Sequence, residues 1–221
     1  MINNTDSKDN LADDVVPLIA ILRGVTPDTI IGVAEVLVAA GFGKIEVPLN
    51  SPKALESIRS LVSHFGTKTL SLGAGTVTRR ELAEEVLATG ANLVVTPNCN
   101  TEVIKMAVDA NCETYPGVVT PTEAFNAIHA GATSLKLFPV SMVGCEGIKA
   151  IRSVIPPHIK LFPVGGIDAK TASMAPYIKV GAAGFGLGSA LYKPDMTLAQ
   201  IRVIAEAFVR EYRQCVDQLQ E

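Results

Sequence analysis

Short β-rich runs alternate with helix-like stretches along almost the whole chain, and this alternation limits the fold more than any other feature. From Leu18 onward the units recur every roughly 20 to 26 residues, which is the spacing of compact βα modules. The predicted strands are Leu18–Arg23, Lys44–Leu49, Thr69–Ala74, Leu93–Pro97, Glu113–Pro116, Leu135–Pro139, Leu161–Val164 and Ala183–Gly186. Eight βα units predict an α/β fold of the (β/α)8 TIM barrel type.

No break in composition and no linker divides the chain, so we expect residues 1–221 to form one barrel domain. A polar tail is predicted for residues 1 to about 15, and a last helix for about 198–219. Glycines at 41, 90 and 131 predict the ends of three helices, each just before a new strand. A doubly wound open sheet is the alternative, but Arg23-Gly24-Val25 does not match the glycine-rich dinucleotide turn that such a fold carries after its first strand.

Composition and charge narrow the range of partners. Hydrophobic residues make up 48% of the chain and charged residues only 19%, which is more apolar than a soluble monomer requires and indicates an oligomer. The formal charge is -3, and no cluster of Lys and Arg interleaves with the few aromatic residues. We therefore expect no nucleic-acid partner.

The cysteines and the apolar runs predict a cytoplasmic location. The four cysteines form no C-x-x-C pair and follow a polar N-terminus rather than a secretory signal, so we expect them to be reduced. No uninterrupted apolar stretch is long enough to cross a bilayer, so we expect no membrane partner.

Lys136 is the strongest candidate for a chemical role. It lies within the apolar run S-L-K-L-F-P, near the C-terminal end of a predicted strand. Burying an ammonium costs several kcal/mol unless the group is paired or loses its proton, and a lysine with a lowered pKa attacks carbonyl groups. Two structural alternatives are a stem that runs over apolar surface with its amine in water, and an ion pair with a buried carboxylate.

Two further ionisable residues belong to the same end of the predicted barrel. Arg23 ends the first strand, and Glu46 lies in the second strand between Ile45 and Val47. Side chains alternate along a strand, so Glu46 and Lys136 both face the interior if their aliphatic neighbours pack against the helices. The three together indicate a site, in which Arg23 can bind a carboxylate with two hydrogen bonds. A structural ion pair is the alternative.

The histidines are excluded from this site by their positions. His64 and His129 lie near helix ends that precede a strand, and His158 lies in a loop that leads into one, so all three belong to the opposite end of the barrel. No metal ligand set is apparent, and we expect neither a metal nor a cofactor. Proton transfer then falls to Glu46, directly or through water.

Glycine-rich segments follow the last two predicted strands, where barrels commonly bind phosphate. Gly165 and Gly166 follow the seventh strand, and Gly188 and Ser189 follow the eighth. Backbone N–H groups that no side chain obstructs, with the start of a short helix, can bind a dianion. The glycines could instead serve only the close packing of helices.

Seven strings together resemble the 2-keto-3-deoxy-6-phosphogluconate and -galactonate aldolases. They occur in this order, between about residues 17 and 192: A-I-L-R-G, K-I-E-V-P-L-N-S-P, G-A-G-T-V, V-V-T-P-N, P-G-V-V-T-P-T-E-A, L-K-L-F-P and P-V-G-G-I. The resemblance implies a class I aldolase with a (β/α)8 barrel, assembled as a homotrimer, that needs no metal. Its implied substrate is a phosphorylated keto-deoxy sugar acid, cleaved to pyruvate and glyceraldehyde 3-phosphate.

The resemblance also implies a role for individual residues. Lys136 matches the Schiff-base lysine and Glu46 the general acid/base of that family. Thr76 lies where the family binds the pyruvyl carboxylate, and Arg23 matches the arginine of the galactonate-type motif. Pro97 and Phe138 match residues that line the pocket.

Two positions bear on which substrate epimer is used. Gluconate-type relatives generally have an arginine where this chain has Asn50, and a threonine where it has Val164, so both positions resemble the galactonate type. Gluconate-type cleavage and 4-hydroxy-2-oxoglutarate cleavage remain alternatives within the same chemistry. A phosphate-binding barrel isomerase or epimerase and a non-catalytic sugar-phosphate binding barrel are alternatives of other classes.

Overall fold

The computed structural model describes residues 15–219, so the polar tail predicted for residues 1 to about 15 lies outside the described residues except for Val15. The strands are β1 (Val16–Ile21), β2 (Phe42–Pro48), β3 (Ser71–Gly75), β4 (Leu93–Val95), β5 (Glu113–Tyr115), β6 (Gly117–Val118), β7 (Ser134–Leu137), β8 (Lys160–Pro163) and β9 (Phe185–Leu187). The helices are α1 (Ile30–Ala39), α2 (Ala54–Phe65), α3 (Arg80–Leu87), α4 (Thr101–Asp109), α5 (Pro121–His129), α6 (Val140–Val154), α7 (Thr171–Lys179) and α8 (Leu198–Asp217).

All strand pairs are parallel, and the strands alternate with helices, which confirms the predicted α/β class. Six strands form one sheet in the order β5-β4-β3-β2-β1-β9, and three form a second in the order β6-β7-β8. Isolated parallel bridges, Leu161 to Ala182 and Val164 to Gly186, connect β8 to the segment that contains β9. The carboxyl ends of the strands therefore lie at one edge of the fold.

The fifth predicted strand, Glu113–Pro116, corresponds to β5, and a second short strand, β6, follows directly after Pro116, beyond the predicted bounds. Pro116 separates β5 from β6, because proline has no backbone N–H to donate to a neighbouring strand. Its carbonyl oxygen still accepts a hydrogen bond of 2.9 Å from the backbone N–H of Lys136. Pro116 thus lies at the junction between the two sheets.

The sheets curl around a small interior cluster. Side chains from β1, β4, β5 and β8 meet there, and the rings of Tyr115 and Phe162 pack edge to face with their centroids 4.9 Å apart. The remaining apolar side chains of the strands pack against the helices in one continuous core. The strands are accordingly buried on both faces, as parallel strands are when helices cover them.

Polar groups at the amino ends of the strands form a closed network. The ammonium of Lys44 donates to Glu113 at 2.6 Å, and the hydroxyls of Ser71 and Tyr115 each donate to the same carboxylate at 2.9 Å. Burial acts to raise the pKa of Glu113, but the hydrogen bond and charge of Lys44, with those hydroxyls, outweigh it and lower the pKa. This network connects β2, β3 and β5 at the end opposite the predicted site.

Local sequence signals explain where the helices begin and end. Thr120 and Glu123 form a reciprocal capping box at the start of α5, and Thr197 and Gln200 do the same for α8. The glycines predicted to end helices, at 41, 90 and 131, all have positive φ, which confirms those predictions. Within residues 15–219, none of the helices is both long and apolar enough to cross a membrane.

Candidate active site

The carboxyl ends of the strands surround a cavity of about 570 Å³. Its wall contains ten of the twelve residues predicted for the site: Arg23, Thr76, Pro97, Lys136, Phe138, Val164, Gly165, Gly166, Gly188 and Ser189. The other two, Glu46 and Asn50, lie behind this wall, the first buried within β2 and the second in contact with Arg23. Loops from both sheets therefore contribute to one concave surface.

Lys136 lies near the middle of β7, between two leucines that pack into the core. Only 7% of the residue is exposed, and Nζ lies 4.7 Å from the centroid of the Phe138 ring. Burial lowers the pKa of this ammonium; the negative charge of Glu46 opposes the shift, and the positive charge of Arg23 adds to it. A lysine held in this way has the neutral form available as a nucleophile.

Glu46 lies on β2 and is 1% exposed. Its carboxylate rests against Gly75 at the end of β3, and among the described residues no group donates a hydrogen bond to Oε2. Burial raises the pKa of this carboxyl to about 7, even though the charges of Lys136 and Arg23 both act to lower it. A carboxyl with a pKa near neutrality can both take up and release a proton.

Lys136 and Glu46 thus form a pair of ionisable groups in which the charge of each shifts the pKa of the other. Two buried groups with pKa values moved toward neutrality are typical of catalytic sites rather than of ion pairs that stabilise a fold. The amine can add to a carbonyl carbon, and the carboxyl can exchange protons with the adduct.

Arg23 is held by a contact between two loops. Its Nη1 donates a hydrogen bond to Oδ1 of Asn50, and the backbone N–H of Gly24 donates to Oγ of Ser51 at 2.9 Å. The loops after β1 and β2 are therefore fixed to each other. Arg23, rather than Asn50, forms part of the cavity wall.

The glycine-rich loops after β8 and β9 leave open space at the cavity. Gly165 and Gly166 have φ values of 103° and 71°, which favour glycine. A Cβ built at either residue, or at Gly188, would meet no atom of the described part of the chain within 4 Å. After β9 the chain forms one hydrogen-bonded turn, with Leu191 and Tyr192 donating to the Gly188 carbonyl, rather than the short helix predicted there.

The cavity wall also contains residues that the sequence reasoning did not single out. Asp168 directly follows the P-V-G-G-I segment, and Tyr192 and Lys193 follow Gly188 and Ser189. The one sequence signal that could have identified these residues is their position just beyond the glycines. Among residues 15–219, no group of three or more His, Cys, Asp and Glu side chains is arranged to hold a metal ion.

Comparison with known proteins gives one family and close relatives. The family model described as KDPG and KHG aldolase matches residues 11–204. The 2-dehydro-3-deoxy-6-phosphogalactonate aldolase of Escherichia coli (strain K12) is 44% identical over 200 residues, which cover 90% of this chain and 96% of the relative.

Two solved structures are similar over most of their length. One, described as native KDPGal, is 42% identical with a TM-score of 0.87 and covers 91% of this chain and 97% of its own. The other is a cube-shaped, porous protein cage designed by fusing symmetric oligomeric domains. It is also 42% identical, with a TM-score of 0.89, and the match covers 93% of this chain and 75% of that one.

Proposed function

The chain belongs to the KDPG and KHG aldolase family, and we propose that it cleaves 2-dehydro-3-deoxy-6-phosphogalactonate to pyruvate and D-glyceraldehyde 3-phosphate. It is an aldolase, and thus a lyase, as its family and its 44% identical relative are. The choice of the galactonate epimer is supported by the name of that relative and by Asn50 and Val164, which resemble the galactonate type.

One observation carries the proposed mechanism: a buried lysine with a lowered pKa faces the cavity beside a buried carboxyl with a raised pKa. The neutral amine of Lys136 attacks the C2 ketone, and the carbinolamine loses water to give a protonated imine. Glu46, as carboxylate, takes the proton of the C4 hydroxyl, directly or through a water. The C3–C4 bond then breaks, its electrons pass to the imine nitrogen, and glyceraldehyde 3-phosphate leaves.

The second half of the reaction returns the enzyme to its starting state. The enamine that remains on Lys136 is protonated at C3 by the acid form of Glu46. Water adds to the resulting imine, pyruvate leaves, and the amine is regenerated. Because Glu46 first takes and then gives the same proton, a pKa near the working pH suits both steps.

The cavity wall suggests how the substrate is oriented. Arg23, Thr76, Pro97 and Phe138 line the cavity. In this proposal, Arg23 and Thr76 bind the carboxylate, and Pro97 and Phe138 contact the keto-acid carbons. The phosphate would bind to the loops that contain Gly165, Gly166, Gly188 and Ser189. Binding energy from the phosphate, far from the bond that breaks, then helps to hold C2 at the amine.

The larger architecture that we propose is a closed (β/α)8 barrel in a homo-oligomer, specifically a homotrimer, in the cytoplasm. Barrel closure is supported by the bridges between β8 and the β9 segment and by the Lys136 hydrogen bond to Pro116. Assembly is supported by the designed cage of symmetric oligomeric domains and by the exposed apolar side chains of Met142 and Val203.

Hydride trapping tests the central step. Incubation with pyruvate and borohydride should add the mass of a reduced pyruvate adduct to Lys136, and the Lys136→Ala variant should gain none. Glu46→Gln should still form the adduct but turn over at least ~100-fold more slowly, the range typical for loss of an acid–base group. An isomerase or epimerase would form no adduct, so an unlabelled wild type would reject the proposal.

Kinetics on three substrates test the specificity. We expect the highest kcat/KM with the 6-phosphogalactonate-derived keto acid, a lower value with its gluconate epimer, and the lowest with 4-hydroxy-2-oxoglutarate, which carries no phosphate. A preference for the gluconate epimer would reject the substrate while retaining the mechanism.

A further inference from the structure

Gly75, the last residue of β3, lies directly against the carboxylate of Glu46. A Cβ built on Gly75 would lie 2.5 Å from Oε1 of Glu46 and closer still to Oε2 and to the carboxyl carbon. These three atoms are its nearest neighbours. The space that a side chain would occupy at Gly75 is therefore filled by the carboxylate.

The backbone conformation at position 75 does not require a glycine. Gly75 does not have a positive φ, so its backbone conformation is open to other residues. Gly73 lies two residues earlier on the same face of β3, but it is needed for a different reason. A Cβ there would overlap the backbone of Leu93 on β4. Gly73 thus permits two strands to approach, whereas Gly75 leaves room for an ionisable group.

The position of the Glu46 carboxylate depends mainly on packing, because hydrogen bonds do little to hold it. Oε2 is buried and has no donor among residues 15–219. The position of the carboxylate is therefore set by the flat surface of Gly75 on one side and by the charges of Lys136 and Arg23. A proton-transfer group must stay within hydrogen-bond reach of its target, about 2.6–3.2 Å, so a shift of about 1 Å is costly.

We propose that Gly75 is a positioning residue, which keeps open the slot that places the Glu46 carboxylate for proton transfer. This inference rests on the proposed role of Glu46. A methyl group at position 75 would push the carboxylate out of the slot without removing it from the chain. Lys136 would remain able to form its adduct, while the steps that need Glu46 would slow.

A double-mutant cycle in stability separates this role from a general need for glycine in β3. Gly75→Ala should lower the urea midpoint of unfolding in the wild type, because the new methyl group overlaps the carboxylate. In the Glu46→Ala background the same change should lose most of that effect, since nothing then occupies the slot. The double variant also keeps the test usable if Gly75→Ala alone folds poorly.

Gly43→Ala on β2 is the matched control, because a Cβ there would meet the side chain of Val15 and is remote from the cavity. Its effect on the urea midpoint should be the same with Glu46 present or absent. If Gly75→Ala also has equal effects in both backgrounds, the inference is wrong.

Kinetics supply the second readout. Gly75→Ala should lower kcat by about 100-fold, the scale of a lost acid–base group, with a smaller change in KM. Borohydride with pyruvate should still label Lys136 in this variant. A wild-type kcat in Gly75→Ala would overturn the inference even if Lys136 is labelled, whereas absence of labelling in the wild type would reject the proposed function instead.

Discussion

Arg23 lines the cavity, and a hydrogen bond to Asn50 outside the cavity wall holds its side chain in place. Its guanidinium donates to the carboxamide oxygen of Asn50, and its charge influences both Lys136 and Glu46. A long, exposed arginine loses side-chain entropy when it binds a ligand, and a fixed hydrogen bond removes part of that cost in advance. We therefore expect Asn50 to influence substrate binding through Arg23 rather than by direct contact.

Removing the acceptor at Asn50 should weaken substrate binding more than it slows the chemistry. Asn50→Leu keeps a similar volume but cannot accept the Arg23 hydrogen bond, so we expect KM to rise by about 10-fold, the scale of one hydrogen bond to a charged group. The kcat should change less, because Lys136 and Glu46 are untouched.

The control for this change is Asn126→Leu, an exposed substitution on α5 away from the cavity. It should leave both kinetic constants as in the wild type. An Asn50→Leu variant with unchanged KM would show that Arg23 does not need this support.

At the scale of single residues, periodicity predicts which way a side chain points but not what it touches. The alternation around Glu46 and Lys136 predicts that both side chains point away from the helix side of the sheet, and the aliphatic neighbours of both pack into the helix-side core. The contact of Glu46 with Gly75, and that of Arg23 with Asn50, join residues on different elements. Such contacts depend on the register and curl of the strands, which no local pattern contains.

At the scale of elements, the loops after β8 and β9 share one design. Each has glycine within two residues of the end of its strand, so that the backbone faces open space at the cavity. The loop after β9 adds the Ser189 side chain and one hydrogen-bonded turn. This arrangement suits an anion that is bound mainly by N–H groups and one hydroxyl.

Ser189→Ala should distinguish the phosphate end of the cavity from the keto-acid end. Loss of one hydroxyl donor should raise KM for the phosphorylated substrate by about 5- to 10-fold. The rate of adduct formation with pyruvate should stay unchanged, because pyruvate has no phosphate. Steady-state kinetics and hydride trapping measure the two effects.

Ser153→Ala on α6 is a suitable control, since that hydroxyl donates to the Ala150 carbonyl on an exposed surface. It should alter neither quantity. If Ser189→Ala slows pyruvate trapping as much as it raises KM, the loop does not bind phosphate selectively.

Elements themselves were largely predictable from sequence, and the differences have physical causes. The alternation of β-rich and helix-like runs predicts every strand except β6, and it predicts the last helix, which runs over Leu198–Asp217. Pro116 separates β5 from β6, because a missing N–H matters only where a neighbouring strand would accept it. The turn after Gly188 did not extend into a helix, since Pro194 follows within a few residues.

At the scale of the whole molecule, the carboxyl groups at the two ends of the strands have opposite environments and opposite pKa shifts. At the amino ends, Glu113 accepts hydrogen bonds from Lys44, Ser71 and Tyr115, and its pKa is lowered. At the carboxyl ends, Glu46 is buried, one of its oxygens accepts no hydrogen bond from residues 15–219, and its pKa is raised. The first arrangement stabilises the fold at neutral pH, while the second costs stability where the chemistry takes place.

The pH dependence of the free energy of unfolding should reveal the stability that is lost when buried Glu46 ionises. The pKa of Glu46 rises from 4.5 to about 7 on folding, so between these values the folded state binds a proton that the unfolded state has lost. Stability contributed by this group is therefore complete below pH 4.5 and falls as pH rises through about 7. The positive charge of Lys136 is already part of this balance, since it lowers the Glu46 pKa against the larger effect of burial.

The isosteric Glu46→Gln variant cannot ionise, so it should gain stability over the wild type, on the order of 3 kcal/mol, between pH 4 and pH 8. Urea unfolding of both proteins across that range measures the difference, and a difference that stays constant with pH would mean that Glu46 ionises as freely in the folded protein as in the unfolded chain.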